Sequence, residues 1–113
     1  MAVIYHNPRC RKSRETLALL QEKNVEIQVV EYLKESPSVD DLKKIVQLLG
    51  INPVELIRRG EKVFKEQYKG KKFSDDEWLK ILSETPILIE RPIVVHANKA
   101  VIGRPPENIH NIF

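Results

Sequence analysis

The chain has 113 residues and only one cysteine, Cys10. An internal disulfide is therefore excluded, and any disulfide must form with an external thiol. Aromatic residues make up 6% of the chain, and they do not interleave with a dense basic stripe, which argues against nucleic acid as the main ligand. No apolar run approaches the roughly 20 residues that span a bilayer, and no charged-then-apolar leader opens the sequence. The expected location is cytoplasmic, with no membrane partner. Three scattered histidines (His6, His96 and His110) and one cysteine give no metal-ligand spacing, so no metal is expected. There is no dinucleotide-binding fingerprint, no internal repeat and no low-complexity linker.

What is present centres on one stretch, His6-Asn7-Pro8-Arg9-Cys10-Arg11-Lys12-Ser13-Arg14. It follows a short β-type run, Ala2 to Tyr5, and precedes a helical pattern over about Arg11 to Lys23. A turn thus delivers a thiol to a helix N-terminus. Unpaired N–H groups and nearby cations favour the thiolate there. An inert buried cysteine is the plainer alternative, but the electropositive setting favours a reactive one. His6 and Ser13 lie within reach of assisting it, although a serine in a first helical turn often serves the backbone instead. Cys10-Arg11-Lys12-Ser13 is Cys-x-x-Ser, so the chain brings no resolving thiol of its own. A phosphatase-type Cys-x5-Arg loop is excluded, because Thr16 stands where that arginine would be.

Ile27, Val29, Val30 and Tyr32 form a second β-type run, which completes a βαβ unit with parallel strands. Ser38 begins a capping box ahead of Leu42, Ile45, Val46 and Leu49, with Gly50 as the stop. Asn52-Pro53 predicts a further helix running to Gly60, with Arg58 and Arg59 in its last turn. The polar segment 61–72 is helical or a connection. Ser74 opens another capping box before Trp78, Leu79, Ile81 and Leu82. Residues 87–95 lead into a third strand, Ala97-Asn98-Lys99 turns, and Ala100-Val101-Ile102 returns as a hairpin strand. A short helix with Ile109 and Ile112 on its apolar side follows.

The order is βαβ, helices, ββα. It matches an α/β, thioredoxin-like architecture: a four-stranded mixed sheet flanked by helices. The expectation is one domain over 1–113, with a helical insertion at about 39–84 between the two halves. Arg58, Arg91 and Arg104, together with Cys10, suggest an oxyanion pocket, since guanidinium offers planar bidentate hydrogen bonds that lysine does not.

These residues carry a resemblance. Tyr5-His6-Asn7-Pro8-x-Cys10-x-x-Ser13-Arg14-x-Thr16-Leu17 resembles the active-site segment of the glutaredoxin/glutathione-dependent arsenate reductase family. Residues 86–95, with Glu90-Arg91-Pro92, resemble its second signature. Gly103-Arg104-Pro105 resembles its third, and Leu56-Ile57-Arg58-Arg59 fits the remaining arginine position. The similarity spans nearly the whole chain.

The resemblance implies an oxidoreductase of arsenic detoxification. Arsenate would bind among Arg58, Arg91 and Arg104, and the Cys10 thiolate would attack arsenic. Glutathione, as co-substrate, would reduce the adduct to the trivalent state, and glutaredoxin would resolve the mixed disulfide. No bound cofactor is implied. His6 and Ser13 would help hold Cys10 as thiolate, and Pro92 would be the cis-proline beside it. Two other readings remain open. One is a monothiol, glutaredoxin-like oxidoreductase acting on mixed disulfides. The other is a non-enzymatic regulator similar to Spx-type transcription factors, against which Ser13 counts, because those commonly carry Cys-x-x-Cys.

Overall fold

A computed structural model describes all 113 residues. The chain forms two compact units: one of Met1–Glu35 with Arg91–Phe113, the other of Ser36–Glu90. No helix is long and apolar enough to cross a membrane.

The first unit is built on strand β1, Ala2–His6. Its residues alternate between buried and half-buried, as a period-2 strand demands. β1 is central in the four-stranded sheet. It pairs in parallel with β2, Ile27–Glu31, and antiparallel with β3, Ile93–His96; β3 pairs antiparallel with β4, Lys99–Ile102. The sheet order is β2-β1-β3-β4, so the mixed sheet expected from the element order is present. The parallel pair is joined through helix α1, Arg11–Gln21, which ends sooner than its pattern suggested. Asn24, in the left-handed region at φ 55°, turns the chain back toward β2.

One face of the sheet buries Ala2, Ile4 and Val94 against Leu20 of α1 and against Ile109 and Ile112. The last two come from a 3-10 helix, Pro106–Ile112, the short terminal helix expected there. At roughly 1.5–3 kcal/mol for each large side chain fully buried, this cluster is what fixes α1, and with it Cys10, to the sheet.

Register decides where chemistry can gather. Tyr5 lies opposite Ile93, and Ile93 lies opposite Ile102. The residues after β1, before β3 and after β4 therefore emerge at the same end of the sheet. The β3–β4 hairpin turns on Ala97 and Asn98, both with positive φ (49° and 61°). A two-residue I′-type connection needs that pair of signs.

The second unit contains helices α2, Val39–Leu49, α3, Lys62–Gln67, and α4, Asp75–Glu84. Both expected capping boxes form: Ser38 Oγ accepts from the Asp41 amide at 3.0 Å, and Ser74 Oγ from the Glu77 amide at 3.2 Å. Gly50 closes α2 in the left-handed region at φ 70°. The helix expected to run from Asn52 to Gly60 does not. Only a 3-10 turn, Pro53–Leu56, forms. Ile57 is extended and bridges Ile89, with Arg58 N donating to Leu88 O and Glu90 N to Leu56 O, each at 2.7 Å. A long-range β-bridge thus overrode a local helical preference, and Arg58 stands after a bridge instead of in a last helical turn.

Candidate active site

Three segments meet at the end of the sheet in the first unit: the turn after β1, the Arg91-Pro92 peptide before β3, and Gly103-Arg104 after β4. The turn is folded by its own amides. Asn7 Oδ1 accepts from Arg9 N and Asn7 O from Cys10 N, both at 3.0 Å. Arg14 Nη1 donates to Pro8 O at 3.0 Å. Asx side chains fold such turns because they can mimic a backbone acceptor.

Cys10 occupies the N-cap position of α1 in an extended conformation. It is a free thiol and is buried, 8% exposed. Burial pushes its pKa up. The opposing influences are stronger: the Ser13 backbone N–H, a hydrogen bond from the Arg91 side chain, and the charges of Arg91 and Arg104 together bring it below the ordinary thiol value. The cysteine makes no regular side-chain cap bond. The Ser13 amide nevertheless belongs to the third residue of α1, the donor that a capping oxygen would take, and it favours the thiolate in the same way. Arg104 Nη2 lies 3.4 Å from the sulfur.

Arg104 is itself held. Its Nε donates to Arg91 O at 2.8 Å, and Asn108 Nδ2 donates to Arg104 O at 3.1 Å. Gly103 N donates to Pro92 O at 2.8 Å, which ties the segment after β4 to the segment before β3. Both Arg91-Pro92 and Arg104-Pro105 are cis; Pro92 was the cis candidate, and nothing in the sequence singled out Pro105. Gly103 is needed for space. A Cβ there would lie 2.6 Å from Thr16 Oγ1 and 2.9 Å from Pro92 Cγ. Thr16 is fully buried and reaches both Lys12 O at 2.8 Å and Gly103 O at 3.3 Å. It thereby joins the catalytic helix to the Arg104 turn. In the sequence Thr16 and Gly103 stand out only as parts of motifs.

His6 and Ser13 are buried beneath the turn. Ser13 Oγ lies 2.6 Å from His6 Nδ1 and accepts from Asn7 N at 3.0 Å. The hydroxyl therefore serves His6 and the turn, while the backbone N–H of the same residue serves the sulfur. Burial lowers the His6 pKa, Glu31 opposes this and Arg14 adds to it, so the imidazole is neutral at neutral pH. His6 thus reaches the site through Ser13 and carries no charge to it.

The flanking cations behave differently from the distant ones. Arg11 pairs with Glu15 at 2.9 Å, and Lys12 approaches the same carboxylate at 3.9 Å. Arg58 belongs to the second unit, where its guanidinium pairs with Glu61 at 3.1 Å and Glu90 at 3.6 Å.

A buried, activated thiol beside two guanidiniums can attack an electrophilic centre that carries negative oxygens. Comparison with known proteins agrees with that chemistry. Residues 5–112 match the model of the ArsC family. An arsenate reductase of Haemophilus influenzae is 44% identical over 113 residues, covering 98% of this chain and 97% of its own. Escherichia coli YfgD, whose name assigns no activity, is 45% identical over 111 residues and 96% of this chain, 93% of its own. The solved structure of an arsenate reductase from Vibrio cholerae superposes with a TM-score of 0.94 at 49% identity, covering 99% of this chain and 97% of that one. The match extends from the turn that carries Cys10 through the segment that carries Arg104, and the chain belongs to the ArsC family.

Proposed function

We propose that the protein is a cytoplasmic thiol-dependent oxidoreductase that reduces arsenate to arsenite. The observation that carries this reading is the Cys10 sulfur, favoured as thiolate by the Ser13 amide and flanked by Arg91 and Arg104. Arg91 and Arg104 bind the oxygens of arsenate and offset the charge of an anion approaching a thiolate. The Cys10 thiolate attacks arsenic, an S–As bond forms, and one oxygen leaves as hydroxide, protonated to water. A glutathione thiolate then attacks the Cys10 sulfur. The electron pair of the S–As bond stays with arsenic, which departs as trivalent arsenite. Cys10 is left in a mixed disulfide with glutathione. A glutaredoxin thiol attacks the glutathione sulfur and returns Cys10 as thiolate. The two electrons come from glutathione and glutaredoxin, and the chain needs no second cysteine.

The test is a coupled assay containing arsenate, glutathione, glutaredoxin and NADPH, in which NADPH serves only the coupling enzymes. Arsenate-dependent NADPH oxidation is expected from the native protein and none from Cys10→Ser, because an alcohol oxygen cannot replace the thiolate. Undiminished turnover by Cys10→Ser sinks the covalent mechanism. Turnover that needs a glutathione mixed disulfide but not arsenate identifies a monothiol oxidoreductase instead.

A further inference from the structure

A cleft of about 220 Å³ lies beside the catalytic turn, and the steps above leave it unused. His6 at the end of β1 lines it with Pro8 and Arg9 of the turn that follows; Glu31 at the end of β2 lines it with Leu33 and Lys34 of the turn that follows. The two turns run side by side because β1 and β2 are parallel and His6 pairs with Glu31. Pro8 is exposed and Leu33 is 45% exposed, which gives the cleft an apolar wall at the surface. Its charges are two cations and one anion. Lys34 lies 3.6 Å from Glu31 and remains largely in solvent. The Arg9 guanidinium is exposed, and no carboxylate pairs with it. Cys10 does not itself line the cleft, but Arg9, which does, directly precedes it in the chain.

The ligand that fits has a peptide-like arm to cover Pro8 and Leu33 and a carboxylate at its end for Arg9 and Lys34. The volume is below the roughly 300 Å³ at which whole small-molecule sites begin, so the cleft takes one arm of a larger ligand. Glutathione has two arms. The γ-glutamyl arm ends in an ammonium as well as a carboxylate, and a net positive cleft disfavours the ammonium. The glycyl arm ends in a carboxylate alone, which guanidinium can hold with two parallel hydrogen bonds. We propose that this cleft binds the glycyl arm of glutathione, its carboxylate at Arg9 and Lys34, and so presents the central cysteinyl sulfur to Cys10. The assignment rests on the reading that glutathione is the attacking thiol.

The test measures formation of the mixed disulfide without arsenate. Cys10 thiolate attacks one sulfur of glutathione disulfide, the S–S bond breaks, and one glutathione thiolate leaves. The second-order rate is compared with that for glutathione disulfide esterified at both glycyl carboxylates. For the native protein, esterification should slow capture about tenfold, equivalent to about 1.4 kcal/mol. In the Arg9→Ala/Lys34→Ala protein, acid and ester should react at nearly equal rates. Equal rates on the native protein overturn the proposal. So does discrimination that persists in the double variant, because the general field of Arg91 and Arg104 would then explain it. The ester comparison is made on unaltered protein, so it stands even if the double variant fails to fold. Discrimination without arsenate turnover supports the cleft and rejects the reductase reading; arsenate turnover without discrimination does the reverse.

Discussion

Removing the Arg104 guanidinium should make Cys10 a weaker nucleophile at neutral pH. The donor nitrogen lies 3.4 Å from the sulfur. Two unit charges at that separation attract by about 1 kcal/mol in bulk water and by about 5 kcal/mol at an effective dielectric constant of 20. Arg104 is an exposed residue, so solvent screens it and the lower figure governs. A loss of about 1–1.5 kcal/mol is a loss of roughly tenfold in thiolate population below the midpoint. The sign follows from the direction of the shift. Arg104 is among the groups that hold the thiol below its ordinary value, so Arg104→Ala moves the titration to higher pH. The assay is the rate of alkylation by iodoacetamide between pH 5 and about pH 10. At acid to neutral pH the Arg104→Ala protein should react about tenfold more slowly. At the alkaline plateau the two proteins should converge, because both are then fully thiolate. Arg104→Lys should recover part of the effect, since it restores a charge but not the bond from Nε to Arg91 O. A native profile in Arg104→Ala would refute the electrostatic reasoning, whatever happened to turnover.

Other substitutions test the supports of the site. Arg91→Lys should weaken arsenate affinity, seen as a raised KM, despite the retained charge; an unchanged KM would make Arg91 structural. Ser13→Ala removes the hydroxyl shared by His6 and the Asn7 amide, both buried. Urea denaturation should show a loss of about 1–3 kcal/mol, whereas the Cys10 alkylation profile should move little, because the donor to sulfur is the Ser13 backbone. Gly103→Ala forces a methyl group to within 2.6 Å of Thr16 Oγ1; about 1–3 kcal/mol of destabilisation is expected. Thr16→Ala in the same protein should restore part of that loss, and additive losses would place the clash elsewhere.

Much of the fold could be read from local chemistry. The capping boxes at Ser38 and Ser74, the stop at Gly50 and the strand–helix–strand order of the first 31 residues all depend on neighbours a few positions apart. Where a distant partner decided the outcome, the local signal misled. Leu56-Ile57 after Asn52-Pro53 reads as helix until Ile89 offers a bridge from 32 positions away. That outcome is a tertiary choice between conformations of similar intrinsic preference. The terminal segment is helical as its sequence suggests, and its i, i+3 apolar pair suits the 3-10 turns it forms.

The same division runs through the candidate site, where it carries a consequence for the chemistry. Four cations lie within four residues of Cys10 in the sequence, and they suggested a reactive thiol. In the structure, Arg11 and Lys12 turn to Glu15 and Arg14 donates to Pro8 O, which leaves Arg9 exposed beside its own cleft. The guanidiniums at the sulfur are those of Arg91 and of Arg104, the latter 94 residues away. The sequence offers that arginine to the cysteine only as one of three candidate oxyanion-binding arginines and through the family resemblance, because no local pattern encodes a separation of that size. The thiol is therefore activated by the Ser13 amide together with the arginines before β3 and after β4, whose positions the sheet register fixes, and not by the side-chain charges of Arg9, Arg11, Lys12 or Arg14. Arg9 is not among the groups that lower the Cys10 pKa, so a change at Arg9 can alter the choice of thiol partner without altering the sulfur.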